Sequence, residues 1–179
     1  IGTVTATDAD SGDSVTFTVS GSELVMTSAG VLSFASAPDY ETKASYTATV
    51  TASDGTNTTT QAITVNVTNI NDNSPVFKSS ATFSAAENQT SIGTVTATDA
   101  DSGDSVTFTV SGSELSMTSA GVLTFASAPD YETKPTYTAT VTASDGTNST
   151  TQSITVNVTD VDESSVTAVA DAASTNEDN

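Results

Sequence analysis

Residues 1–68 return almost unchanged at 92–159, displaced by 91 positions, with 62 of the 68 identical. The exceptions are Val25/Ser116, Ser33/Thr124, Ala44/Pro135, Ser45/Thr136, Thr58/Ser149 and Ala62/Ser153. Near-copies must take the same fold, so each has to close its own core within one period. That period exceeds the roughly 20–50 residues of a stacked solenoid repeat and suits whole domains strung end to end. Residues 1–73 read as a first repeat lacking its opening strand, 74–164 as a second, complete repeat, and 165–179 as the start of a third.

Within a repeat the apolar period is two. Val106, Phe108 and Val110 alternate with polar residues, as do Tyr137, Ala139, Val141 and Ala143, and then Ile154, Val156 and Val158. This is the pattern of half-buried antiparallel strands. Turn signals separate them: Asp101-Ser-Gly103, Ser119-Ala-Gly121 and Ser144-Asp-Gly146. Short strands with a turn every ten or so residues predict an all-β sandwich with almost no helix. In the second repeat the strands are expected near 81–85, 92–98, 106–111, 115–118 with 121–125, 137–144 and 152–159. The first repeat follows with 91 subtracted, leaving an edge bare where its opening strand would lie. The tail 166–179 has the pattern of another opening strand, with Glu177 in the place of Glu87, and could fill that edge in a neighbouring chain.

The chain carries 22 acidic residues against Lys43, Lys78 and Lys134, a net charge of −19. No basic footprint exists for nucleic acid or for an anionic membrane surface. No apolar run reaches the ~18–20 residues of a membrane-spanning helix. There is no Trp, and aromatics make up 6%. A repeat of this size therefore has a thin core that outside support would help. It also lacks Cys, where a secreted eukaryotic module would be expected to carry disulfides, and this points toward a bacterial surface protein.

Four acidic motifs recur in each repeat: Asp-Ala-Asp (8–10, 99–101), Asp-Tyr-Glu (39–41, 130–132), Ser-Asp-Gly (53–55, 144–146) and an acidic or amide-rich linker (69–73, 160–164). Strand-end motifs gather at the poles of a sandwich. On an extended backbone Asp39 and Glu41 would share one side, as would Asp99 and Asp101. Two carboxylates about 4 Å apart repel by roughly 4 kcal/mol at an effective dielectric near 20. Three lysines cannot neutralise such groups, whereas Ca²⁺ accepts 6–8 oxygens from carboxylates, amides and carbonyls. Zn²⁺ prefers His and Cys, and both are absent. An EF-hand opening at Asp99 would need Glu at its twelfth position, where Val110 stands.

The run Thr68-Asn-Ile-Asn-Asp-Asn-Ser-Pro-Val-Phe77 resembles the D-x-N-D-N-x-P-x-F linker of cadherin repeats. Ala86-Glu87-Asn88 resembles their x-E-x motif, Asp99-Ala-Asp101-Ser-Gly their D-x-D-x-G, Asp39-Tyr-Glu41 their D-R-E and Ala52-Ser-Asp54 their A-x-D. The resemblance implies tandem Greek-key sandwiches of immunoglobulin-like form, with three Ca²⁺ at each junction. It assigns Asp39 and Glu41 to the first repeat's side. Asn69, the Ile70 carbonyl, Asn71, Asp72 and the Asn73 carbonyl become the linker ligands. The second repeat's side would be Asp99, Asp101 and Asp145, with a carbonyl near Asp104 or Ser105. Glu87, Asp130, Glu132, Asp160, Asp162 and Glu163 would form half of the next site. Asp8, Asp10 and Asp54 are the first repeat's counterparts of Asp99, Asp101 and Asp145. The sequence departs from the family pattern at Asn69 (usually Asp), at Ser164 and at Tyr40 and Tyr131 (usually Arg). The family's glutamate for the first repeat would precede Ile1. Without Trp, the tryptophan exchange of vertebrate cadherins has no residue to use.

The function this implies is a calcium-stiffened extender of a large cell-surface or secreted adhesin. Its partners would be neighbouring repeats, with homophilic contacts or a surface polysaccharide as further possibilities. Two other readings stay open: a recognition module, and a metal-free bacterial immunoglobulin-like domain. Glycoside hydrolysis by a carboxylate pair such as Asp39 and Glu41 is opposed by the lack of an aromatic platform and of His.

Overall fold

The computed structural model describes residues 1–10 and 12–163. It contains fifteen strands and, among the described residues, no helix. The strands are β1 (Gly2–Thr3), β2 (Thr16–Val19), β3 (Leu24–Met26), β4 (Val31–Phe34), β5 (Ser45–Ser53), β6 (Thr58–Asn66), β7 (Val76–Phe77) and β8 (Thr82–Ala86). They continue as β9 (Ser91–Thr94), β10 (Ala97–Thr98), β11 (Thr107–Val110), β12 (Leu115–Met117), β13 (Val122–Phe125), β14 (Thr136–Ser144) and β15 (Ser149–Thr159).

Two compact units result. The first holds Ile1–Val76 with Thr98–Val106 and Ser144–Ser149; the second holds Phe77–Ala97, Thr107–Ala143 and the described residues from Thr150 on. Two aspartate-bearing loops of the second repeat, 98–106 and 144–149, thus belong to the first unit.

In the second repeat one sheet runs β11-β14-β15-β8 and the other β12-β13-β9. The opening strand β8 lies parallel to the closing strand β15, from Thr82 opposite Thr155 to Ala86 opposite Thr159. Parallel neighbours need a long crossover, and here the rest of the sandwich supplies it. Alternation does what the sequence demands. Val141, Ile154, Val156 and Val158 point inward with Leu123 and Phe125, none more than 4% exposed, while along β15 Thr155 is half-buried and Asn157 exposed.

The first repeat builds β2-β5-β6 and β1-β4-β3, three strands in each sheet. Among the described residues β6 pairs with β5 alone. Ile63 and Val65 of this strand and Val67 just after it are half-buried, while their counterparts Ile154, Val156 and Val158 are buried. A cavity of ≈ 280 Å³ opens by the earlier part of β6, lined by Val4, Phe17, Val50 and Ala52 with Thr59 to Gln61. The tail that the sequence offers as a filler, with Ser164, Glu177 and the start of the third repeat, lies outside the described residues.

One turn ties each sandwich together. Gly121 takes φ +86° and its carbonyl accepts the Val95 N–H at 2.9 Å. A Cβ at this position would meet the Val95 carbonyl oxygen at 2.3 Å. Both the left-handed backbone and the contact forbid a side chain. Gly121→Ala is expected to destabilise the second repeat by about 3 kcal/mol or more, read as a drop in its denaturant midpoint. Gly112, with a similar φ of +82° and open space around it, should cost clearly less.

Candidate metal centre

Among the described residues, four groups of carboxylates each bring one oxygen per residue within 4.8 Å: Glu41, Asp72 and Asp101; Asp99, Asp104 and Asp145; Glu87, Glu132 and Asp160; and Asp8, Asp10 and Asp13. The first two lie within the first unit, where the linker 69–73 meets the 98–106 and 144–149 loops.

Asp101 is 4% exposed. The Asn73 backbone N–H donates to its Oδ2 at 2.8 Å, and Asn73 Nδ2 donates to its Oδ1 at 3.0 Å and to Asp72 Oδ1 at 3.1 Å. Burial pushes the Asp101 carboxyl up, but hydrogen bonds from Asn73, with smaller ones from Glu41 and the Asp72 N–H, leave the group below the usual range. Glu41 moves the other way, raised by burial and by the charges of Asp101 and Asp72.

In the second group, the Asp101 N–H donates to Asp99 Oδ1 at 3.0 Å, and the Thr147 and Asn148 N–H groups both donate to Asp145 Oδ1 at 2.6 Å. Burial opposes ionisation of Asp145, yet these donors leave it below the usual range. Asp104 is raised, first by burial and then by Asp101, Asp145 and Asp99. Three buried side-chain oxygens lack a hydrogen-bond partner among the described residues, and two of them, Asn69 Oδ1 and Asp99 Oδ2, belong to this region. The Asn69 amide itself donates to the Ser102 carbonyl at 3.5 Å. Buried oxygens left without donors, inside an all-oxygen set with excess negative charge, fit a hard divalent cation. Two of the three lysines are engaged elsewhere: Lys43 pairs with Glu23 and Lys134 with Glu114, each stacked 4.6 Å over a tyrosine of its own repeat.

Glu87, at the end of β8, is 2% exposed and accepts the Tyr131 N–H at 2.8 Å and the Val161 N–H at 2.7 Å. The Glu163 carboxyl is raised by burial and by the charges of Glu87, Glu132, Asp130 and Asp160. Asp162 is exposed between them. In the first repeat Asp54 lines a small cavity with Asp8, and its carboxyl is held low by the Asn57 and Thr56 N–H groups.

The extended-backbone expectation for the two acidic pairs does not hold. Residues 39–43 form a turn closed by the Lys43 N–H on the Asp39 carbonyl at 2.9 Å. Both Asp39 carboxylate oxygens bind within that turn, to the Thr42 N–H and hydroxyl, which lowers its pKa. Asp130 does the same with Thr133. Neither joins a carboxylate group, although Asp39 lines a cavity of ≈ 450 Å³ with Glu41, Ile70, Asp72 and Asn73. Asp99 and Asp101 likewise part into different groups, because the Asp101 N–H folds back onto Asp99. The sequence reading also missed the Asp13 and Asp104 carboxylates and the Asn148 amide. The available signal was their recurrence in both copies, Asp13 with Asp104 and Asn57 with Asn148.

Residues 81–159 match the family model of the Cadherin domain. The second repeat is a cadherin domain. The first repeat matches that sequence at 62 of its residues 1–68. Human Protocadherin Fat 4 is 39% identical over 132 residues, covering 66% of this chain and 3% of that protein. Mouse Cadherin EGF LAG seven-pass G-type receptor 1 is 32% identical over 160 residues, covering 80% and 5%. The chain is therefore a small fraction of the length of these relatives. Among solved structures, mouse cadherin-23 EC22-24 superposes with a TM-score of 0.76 at 27% identity, covering 90% of this chain and 59% of that one. A protocadherin gammaB7 EC3-6 cis-dimer gives 0.73 at 29%, covering 83% and 41%. The cadherin family is one of non-enzymatic adhesion domains, which removes the glycosidase reading.

Proposed function

We propose that this chain is a calcium-dependent extender of an extracellular adhesin, bacterial by its lack of cysteine, with repeat boundaries at 73/74 and 164/165. The observation that carries this is the pair of carboxylate groups around the linker, left with two orphaned buried oxygens. Glu41, Asp72 and Asp101 would hold one ion. Asp99, Asp104 and Asp145 would hold another, with Asn69, Asn71 and the Ile70 and Asn73 carbonyls completing the shells. Glu87, Glu132, Asp160 and Glu163 offer a further site beside Asp130 and Asp162, and Asp8, Asp10 and Asp13 one in the first repeat. A bound Ca²⁺ would supply the positive charge that lets these oxygens converge. Lateral pairing of copies is the second reading, favoured by the cis-dimer found for one solved relative.

Calorimetric titration with calcium should show uptake in the range of extracellular modules, roughly 10⁻⁴–10⁻³ M. Small-angle scattering should show a longer, stiffer particle with calcium than with chelator. Identical scattering curves would remove the extender role, and a flat titration would favour a metal-free domain.

The titration should depend on pH in a definite direction. Glu41, Asp104 and Glu163 have raised pKa values, so on acidification they take up protons first and compete with the ion. In the ion-free chain their ionisation opposes folding above those raised values, and the penalty lifts as pH falls through them. Asp39, Asp54, Asp101, Asp130 and Asp145 are lowered. Their stabilisation is present above the unfolded value and is lost only as pH falls through the folded one. Melting of the metal-free chain should therefore pass through a maximum on the acid side of neutrality, while calcium affinity falls steadily over the same window.

A further inference from the structure

We infer that Asn148 is a positioning residue of the linker centre. The inference rests on the calcium reading above and adds to it a side chain that would not itself touch the ion. The Asn148 amide Nδ2 donates to Asn71 Oδ1 at 2.6 Å, to the Asn73 carbonyl at 2.8 Å and, more weakly, to Asp145 Oδ2 at 3.5 Å. All three acceptors are oxygens that the metal reading needs. One half-buried amide thus gathers oxygens from two separate stretches, 71–73 and 145, some 75 residues apart in sequence.

The geometry is built by the turn. Gly146 takes φ +101°, and the Asn148 N–H returns to Asp145 Oδ1 at 2.6 Å, which aims the side chain back toward the linker. Each acceptor oxygen has a second lone pair, so a hydrogen bond from Asn148 fixes its direction and leaves the other lobe free for a cation. Holding the linker carbonyls in place before the ion arrives removes ordering cost from the binding step.

The chain contains its own control. Asn57 stands at the same position of the first repeat, in the same Ser-Asp-Gly-Thr-Asn context. Its backbone N–H reaches Asp54 Oδ1 at 2.6 Å and its amide reaches Asp54 Oδ2 at 3.2 Å, and these are the bonds its turn requires. If Asn148 serves only its turn, Asn148→Ala and Asn57→Ala must behave alike.

The experiment compares the two variants with the unaltered 179-residue chain, by calcium calorimetry and by the luminescence lifetime of bound Tb³⁺ in H₂O and D₂O, which counts metal-bound water. Asn148→Ala should weaken the tightest site about tenfold, the lower end for a group supporting metal ligands, and raise the water count there. Asn57→Ala should leave both unchanged. Equal affinities for Asn148→Ala and the unaltered chain, or equal losses in both variants, would overturn the inference alone. An unaltered chain that takes up no metal would overturn the calcium reading as well.

Discussion

Asp99→Ala combined with Asp101→Ala is expected to weaken calcium uptake at the linker at least a hundredfold and to abolish most of the titration heat. The two residues act in different groups, so the double variant removes one carboxylate from each. Asp101 leaves Glu41 and Asp72, and Asp99 leaves Asp104 and Asp145. Calcium needs 6–8 oxygens and tunes its affinity by the number of charged ligands. At tenfold excess over its dissociation constant, each ion adds about 1.4 kcal/mol to folding stability. With affinity down a hundredfold at the same concentration, that gain falls below about 0.1 kcal/mol. Calcium should therefore raise the melting temperature of the unaltered chain and leave the variant almost where it began. Structural damage has a separate signature: loss of Asp101 frees the Asn73 N–H donors and would lower the metal-free melting temperature too. An unchanged titration would sink the linker assignment whatever the melting data say.

The sequence exposed the long strands because Thr alternates with small or β-branched residues along them. Residues 137–144 and 152–159 correspond closely to β14 and β15. The expected strand 92–98 instead divides into β9 and β10. At the break the Val95 N–H leaves for the Gly121 carbonyl, and the Thr96 carbonyl accepts the Lys78 N–H at 2.8 Å. Those partners come from other parts of the chain, and period-two patterning carries no trace of them. The two-residue strand β7 escaped for the same reason. Motif order pointed to the acidic regions, but spacing could not divide them. Whether Asp99 and Asp101 share a group depends on a backbone turn, and whether Asp39 offers free oxygens depends on Thr42. Asn148 was hidden because its role lies in contacts 75 residues away, while its local sequence matches that of Asn57.

Placing a copy of residues 74–91 ahead of Ile1 is expected to stabilise the first repeat by about 2–4 kcal/mol. The second repeat shows what such a segment does. Its β8 lies along β15, with the Thr155 N–H on the Ala81 carbonyl at 2.9 Å and the Glu87 N–H on the Thr159 carbonyl at 3.2 Å. The Phe83 ring lies against Gly93, and the Phe77 ring stands 6.4 Å from Phe108. The first repeat holds the same acceptors in Gly2, Phe17 and β6, with the cavity beside Phe17 still open. Burying two Phe rings yields roughly 1.5–3 kcal/mol each when complete. Ladder hydrogen bonds along β6 and deeper burial of Ile63, Val65 and Val67 are set against the entropy of ordering the added strand. Hydrogen exchange at the β6 amides should slow toward the rate in β15. The same extension with Ala in place of both Phe residues should lose most of the gain, since its hydrogen bonds survive but its ring packing does not. If β6 exchanged equally fast with and without the extension, near-identity of sequence would not have made the first repeat's groove equivalent to the second's.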